Sequence, residues 1–379
     1  MRCNEHSIIY FDNAATSRPK PDVVIDAFIR YVTDVGVSPG RGAYELAINA
    51  SRMLYQCRKT VANYFGCQKK DNVIFTKNST EAINVFLHAF LQQGDHVLIS
   101  PYEHNAVLRP IHHMSEEGII EYTILPTEVI DQPTTSLYKY IRKNTKLLAV
   151  TLASNLTGRI VFSRELAHTA HKYGLQVLLD ASQGAGYIRV DMSQDEVDHL
   201  AFTGHKDLLG LPGVGGLCSN TAFGVKPLLQ GGTGIHGESF VNPEIFPDAY
   251  EAGTLNMPAI WALKKAIEYL DANRTEIISK EDDLLRYLIE RLTEVKKVIL
   301  YEPGVRRVPT LCFNIEGVDS NRVIALLDEC GICSRGGVHC AILAHRTIGT
   351  EYKGAVRVSI NHFNTRSEID YFIQVLRRL

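Results

Sequence analysis

The chain has 379 residues, 45% of them hydrophobic and 22% charged. At roughly 100–200 residues per domain this suggests two domains or one large α/β domain with an appendage, and it excludes a disordered, collagen-like or coiled-coil chain. Lys and Arg number 40 against 42 Asp and Glu, a formal charge of −2, so no broad basic field draws the whole protein to nucleic acid or anionic lipid.

Met1–Tyr10 carries no long apolar run behind a basic end, so no secretory signal is expected. Nowhere do about 18 apolar residues run together, so no membrane span is expected. Eight cysteines are too few for a disulfide scaffold, and a cytoplasmic address with reduced thiols is expected.

From Val73 to Leu217, short apolar runs alternate with stretches of helical spacing. The runs are Val73–Thr76, His96–Ser100, Leu147–Leu152, Gln176–Asp180 and His199–Thr203, with helices over Glu81–Gln92 and Ser163–Tyr173. Near-continuous apolar strands alternating with helices predict a mostly parallel sheet covered on both faces. Ligands of such sheets gather at the carboxyl ends of the strands. Asn78-Ser79-Thr80, His104, Asn155, Asp180 and Gly204-His205-Lys206 all fall there. Thr221–Thr254 is rich in Gly and Pro and reads as loops. A helical pair follows, Pro258–Ala272 and Thr275–Val295. Strand Thr310–Ile315, helix Ser320–Cys330, strand Val356–Ile360 and helix Arg366–Leu376 then form a compact α+β unit. The boundary is placed near 255–275, dividing the chain into 15–255 and 256–379, the latter joined by 1–14.

Several motifs admit two readings. Asn78-Ser79-Thr80-Glu81 is either a plain helix cap or a phosphate seat at a helix N-terminus. Asp180 either caps a turn or pairs with a cofactor's ring nitrogen. Lys206 ends another strand, so it and Asp180 are placed to face one cleft; a desolvated lysine loses its proton easily and forms a Schiff base. A lysine plus a carboxylate partner for a pyridinium nitrogen is the minimal pyridoxal phosphate arrangement. Gly232–Gly237 matches the pattern of a dinucleotide loop, but Pro227, Pro243 and Pro247 flank it, and it reads as a flexible loop. Cys330-Gly331-Ile332-Cys333 raises zinc or redox chemistry. Cys330, however, ends a helix with Gly331 as its C′ residue, and both thiols read as structural. Cys340 lies in the polar, Gly-rich segment Arg335-Gly336-Gly337-Val338-His339-Cys340, where Arg335 and His339 are expected to favour a reactive thiolate. Cys3, Cys57, Cys67, Cys218 and Cys312 read as inert.

Taken together, the segments resemble the class V aminotransferase family, specifically the cysteine desulfurases. The resemblance runs in order through Tyr10–Thr16, Arg41-Gly42, Thr76–Asn84, Glu103–Ala106, Ser154-Asn155, Asp180–Gln183, Thr203–Lys206, Glu251–Thr254, Arg335–Ala341 and Arg357–Ser359. It implies a fold-type-I pyridoxal-phosphate transferase fold: a large domain with a mostly parallel sheet and a smaller α+β domain. It implies pyridoxal 5'-phosphate on Lys206, Asp180 at the pyridine nitrogen, His104 stacked on the ring and Gln183 at the phenolic oxygen. Ser79, Thr80, Thr203 and His205 are implied at the phosphate, with Thr254 arriving from the partner subunit of a homodimer. Asn155 and Arg357 are implied at the substrate carboxylate, and Cys340 as the sulfur acceptor. The short spacing around Cys340 resembles the SufS-like branch. Ser182 stands where Gly or Ala is commoner, and Ile342 where Pro is frequent. The implied reaction converts L-cysteine to L-alanine, with a persulfide left on Cys340 for an acceptor protein. Selenocysteine lyase, transamination and β-elimination are the enzymatic alternatives. A sulfur or metal carrier using Cys330, Cys333 and Cys340 is the non-enzymatic one.

Overall fold

A computed structural model describes residues 8–40 and 42–378; Cys3 and Arg41, singled out above, lie outside the described residues. The elements before the central sheet are β1 (Ile9–Tyr10), α1 (Asp22–Arg30) and α2 (Glu45–Phe65). The sheet region then runs β2 (Val73–Thr76), α3 (Ser79–Phe90), β3 (Asp95–Ile99), α4 (Asn105–Glu116) and β4 (Ile120–Ile124). The short helices α5 (Thr127–Asp131) and α6 (Pro133–Ser136) lead to β5 (Thr145–Thr151), α7 (Arg164–Lys172), β6 (Gln176–Asp180), β7 (His199–Thr203) and β8 (Gly215–Ser219).

These strands form one seven-stranded sheet in the order β2-β8-β7-β6-β5-β3-β4. Only β8 runs against its neighbours. Successive residues of a strand face opposite sides, and the core divides accordingly. Val73, Phe75, Leu148, Val150, Val177, Leu179 and Phe202 pack with residues of α1, α2 and α7. Ile74, Leu147, Ala149, Leu178 and Ala201 pack with α3 and α4. The strands are buried on both faces, as their near-continuous apolar runs predict.

Residues 221–254 contain no helix or strand. The pair of helices expected next is instead one helix, α8 (Met257–Thr293). The sequence between the expected halves holds no Gly or Pro to break it. Asn273 Nδ2 donates to the Tyr269 carbonyl one turn back, and Arg274 donates to the carbonyls of Gly186 and Tyr187. Its apolar residues up to Ile277 belong to the large core; those from Leu284 onward belong to a second core. That second core is completed by β9 (Val298–Leu300), β10 (Thr310–Ile315), α9 (Ser320–Glu329), β11 (Ile332–Cys333), β12 (Val356–Ser359) and α11 (Arg366–Leu376). The short α10 (Ile342–Thr347) follows the Cys340 segment. Strands β12-β10-β9 form an antiparallel sheet, and β1 pairs in parallel with β11, returning the start of the chain to this unit.

Candidate active site

The carboxyl ends of β2, β3, β5, β6 and β7 surround a cavity of about 230 Å³. Ser79, Thr80, His104, Asn155, Asp180, Gln183, Thr203, His205 and Lys206 all line it. Cys340, Arg357 and Thr254 are not among its lining residues. Arg357 lies one contact away, donating from Nη1 to the Asn155 carbonyl at 2.9 Å. Cys340 is exposed, and its carbonyl accepts from the Asn105 amide at 2.9 Å. The sulfur-bearing residue therefore sits at the N-terminus of α4, next to His104. Thr254 is exposed and lines a separate recess with Arg58, Glu251 and Gly234.

The two readings of the Asn78 turn divide between residues. Asn78 is the cap, its side chain accepting from the Glu81 amide at 2.9 Å. Ser79 and Thr80 are thereby left to face the cavity. The turn presses on β8: a Cβ on Gly215 would meet the Asn78 backbone at 2.7 Å and the Phe202 carbonyl at 2.6 Å. Glycine there lets the helix N-terminus approach the sheet.

Asp180 Oδ1 accepts from Ser79 Oγ at 3.2 Å, Ser182 N at 3.0 Å and Ser182 Oγ at 2.6 Å. No donor among the described residues reaches Oδ2. Ser182, which departs from the commoner residues of that turn, thus supplies two of the three donors to that oxygen. Lys206 has its amine pK pushed down, first by desolvation, with Arg357 adding to it and Asp180 opposing it. A neutral amine is the nucleophilic and basic form. His104 Nδ1 accepts from the Ala106 amide at 2.9 Å. Burial, with Lys206 beside it, brings its pK down to about 4, so the ring is neutral at pH 7. His205 is also held neutral by burial, at about 4.

Three buried polar atoms of cavity-lining residues lack any protein partner: Thr203 Oγ1, His205 Nδ1 and Asn155 Oδ1. Buried polar groups rarely go unpaired, so these atoms are suited to a polar ligand. With the first turn of α3 they suit a phosphate; with Asp180 and Lys206 in the same cavity, the set fits pyridoxal phosphate. Gln183 gives one amide hydrogen to the Ala14 carbonyl at 2.8 Å, and Asn155 gives one to the His339 carbonyl at 2.8 Å.

The two neighbours expected to favour the Cys340 thiolate each have another partner in the structure. His339 is half-buried; desolvation, with Arg357 nearby, pushes its pK down to about 3, and a ring nitrogen lies 3.2 Å from the Arg335 carbonyl. It is neutral and supplies no positive charge. The Arg335 guanidinium is engaged by Asp12 Oδ2 at 2.9 Å. His339 and Cys340 both adopt left-handed backbone conformations, with φ of 55° each, which costs strain in non-glycine residues. Cys330 ends α9 as read, with Gly331 at φ 75°. Among the described residues no three His, Cys, Asp or Glu side chains are grouped to hold a metal.

Asp12, Glu103, Ser182 and Arg58 were missed as individual contributors. Glu251, quoted only as part of a motif, accepts from Arg58 and from the Phe75 amide, fixing the end of the 221–254 loop to α2 and β2. For Asp12 and Arg58 the partners, Arg357 and Glu251, lie too far away in sequence to be seen.

The family model for aminotransferase class-V matches residues 9–372. A probable cysteine desulfurase of Methanothermobacter thermautotrophicus is 32% identical over 98% of this chain and 94% of its own length. One from Mycolicibacterium paratuberculosis is 32% identical over 99% of this chain, which spans only 56% of that longer protein. Among solved structures, the apo cysteine desulfurase of Thermococcus onnurineus superposes with a TM-score of 0.87 at 31% identity, covering 98% of this chain and 94% of the other. The cysteine desulfurase CsdA of Escherichia coli gives 0.85 at 28% identity, with the same coverage.

Proposed function

The chain belongs to the class-V aminotransferase family, and from that premise we propose that it is a pyridoxal 5'-phosphate-dependent cysteine desulfurase, converting L-cysteine to L-alanine with the sulfur passed to Cys340. The observation that carries this reading is the convergence of five strand ends on one cavity holding Lys206, Asp180 and three unpartnered polar atoms.

Pyridoxal phosphate, when bound, supplies an electron-accepting ring that makes a substrate Cα–H acidic. Ser79, Thr80, Thr203 and His205 would hold its phosphate, and Asp180 its protonated ring nitrogen. Lys206 would be its attachment point and would carry the proton from the substrate Cα, the desolvated amine being the basic form. Asn155 and Arg357 orient the substrate carboxylate. The Cys340 thiolate attacks the substrate sulfur. The new S–S bond forms as the C–S bond breaks, and the electron pair stays on carbon, which takes up protons to leave as alanine. Selenocysteine lyase is the neighbouring reading, and the transfer of sulfur from Cys340 to an acceptor protein belongs to this proposal. Among the described residues no helix is long and apolar enough to cross a membrane.

Borohydride reduction of the purified holoprotein is expected to fix the cofactor covalently on Lys206, and Lys206→Ala to abolish the label. A label that persists on another lysine contradicts the assignment. Alanine released from L-cysteine, compared with selenocysteine and with keto-acid formation, separates desulfuration from lyase and transaminase chemistry.

A further inference from the structure

Arg335 and Arg357 face each other across an antiparallel bridge, with backbone bonds of 3.3 and 2.7 Å exchanged between them. Like charges directly opposite on neighbouring strands repel. The carboxylate that offsets them is Asp12, in the segment that follows β1. Asp12 Oδ1 accepts from Arg357 Nη2 at 2.7 Å, and Asp12 Oδ2 accepts from Arg335 Nη2 at 2.9 Å and Nε at 3.2 Å. Arg357 is buried and Arg335 is half exposed. Arg357 uses two of its five N–H donors, one on each Nη nitrogen. Nη1 is on the Asn155 carbonyl, and Nε is buried with no partner.

A carboxylate that docks on two parallel N–H groups takes Nη2 together with either Nε or Nη1. Nη2 already gives one of its two N–H groups to another carboxylate, Asp12. An incoming carboxylate therefore meets Asp12 at Nη2. The relief is at hand, because Arg335 offers Asp12 a second pair of donors.

We propose that Asp12 competes with the substrate carboxylate for Arg357, and that substrate arrival transfers Asp12 fully to Arg335, tying down the segment that carries Cys340. This rests on the reading of Arg357 as the carboxylate anchor and goes beyond it. Asp12 is then a positioning residue: it touches no reacting atom, weakens carboxylate binding, and couples an occupied substrate site to the 335–340 segment. An amino acid without an α-carboxylate would leave Asp12 shared and the segment untied.

The test uses the holoenzyme, with L-alanine affinity from calorimetry and KM and kcat for L-cysteine. Asp12→Asn keeps the shape and removes the competing charge. It is expected to tighten L-alanine binding and lower KM by about fivefold or more, about 1 kcal/mol, while kcat falls because Arg335 loses its tether. Arg335→Gln leaves Asp12 on Arg357 alone and is expected to weaken L-alanine binding and raise KM. Arg357→Gln checks the underlying reading: if it leaves alanine affinity unchanged, Arg357 is not the anchor. With that affinity reduced, an Asp12→Asn enzyme that binds alanine no tighter than wild type overturns the proposal. Should Asp12→Asn fail to fold, Arg335→Gln decides, and unchanged or tighter alanine binding overturns it.

Discussion

Glu103 is fully buried beside His104, and its Oε1 accepts from Ser100 Oγ and from the Thr151 amide at 2.7 Å. Its Oε2 has no partner. Burial is the main force that pushes its pK up to about 8, with Asp180 adding to it. A neutral carboxyl thus lies against the site, sparing Asp180 a second adjacent negative charge. The raised pK sets a stability trend. The folded protein holds this proton where the unfolded chain has released it, so the contribution is complete below about 4.5 and is lost as pH rises toward 8. Glu103→Gln does not titrate. The apoprotein variant is expected to gain on wild type by several kcal/mol between pH 5 and 8, at about 1.4 kcal/mol per pH unit. Urea unfolding at several pH values measures this, and a pH-independent difference would contradict it. Asp180 and Lys206 were readable from the sequence because each ends an apolar strand. Glu103, Asp12 and Ser182 were not, because their roles depend on what the fold places beside them.

Strand β8 shows why one element escaped the sequence. Gly215-Gly216-Leu217-Cys218-Ser219 has little strand propensity. Its glycines exist because neighbours crowd them: a Cβ on Gly216 would meet the Ile74 carbonyl at 2.5 Å. The edge strand β4 has no counterpart among the expected strands either, whereas β2, β3, β5, β6 and β7 and helices α3, α7, α9 and α11 fall within about two residues of their expected spans. The α8 helix escaped in the opposite sense. Its polar middle reads as a break, yet anchoring side chains carry it through. Gly215→Ala is expected to cost about 1–3 kcal/mol and to displace the Asn78 turn, lowering cofactor occupancy. Thermal unfolding of the apoprotein, with the holoprotein's visible absorbance, reads both effects. Unchanged stability and absorbance would show that the turn does not depend on that close approach.

At the scale of the whole molecule, the 221–254 loop carries an unusual surface. Phe240 is fully exposed, and Val241 and Ile245 are largely so. Exposed apolar clusters mark interaction sites. Thr254 lies on the same connection, held by buried Glu251 and away from the chain's own cavity. A homodimer in which this loop reaches the partner's cavity accounts for both. Sedimentation is expected to give a dimer, and Phe240→Asp to weaken it together with cofactor retention; a monomer with full cofactor occupancy would contradict the arrangement. Helix α8 bridges the two packed cores, and the buried residues just after Cys340 (Ala341, Leu343 and Ala344) pack with the cores of the large sheet. The direct measurement is L-alanine formation from L-cysteine by Cys340→Ala holoenzyme. The account predicts that this variant keeps its cofactor spectrum and still binds L-cysteine, but loses activity by several orders of magnitude. Activity near wild type would contradict Cys340 as the sulfur acceptor.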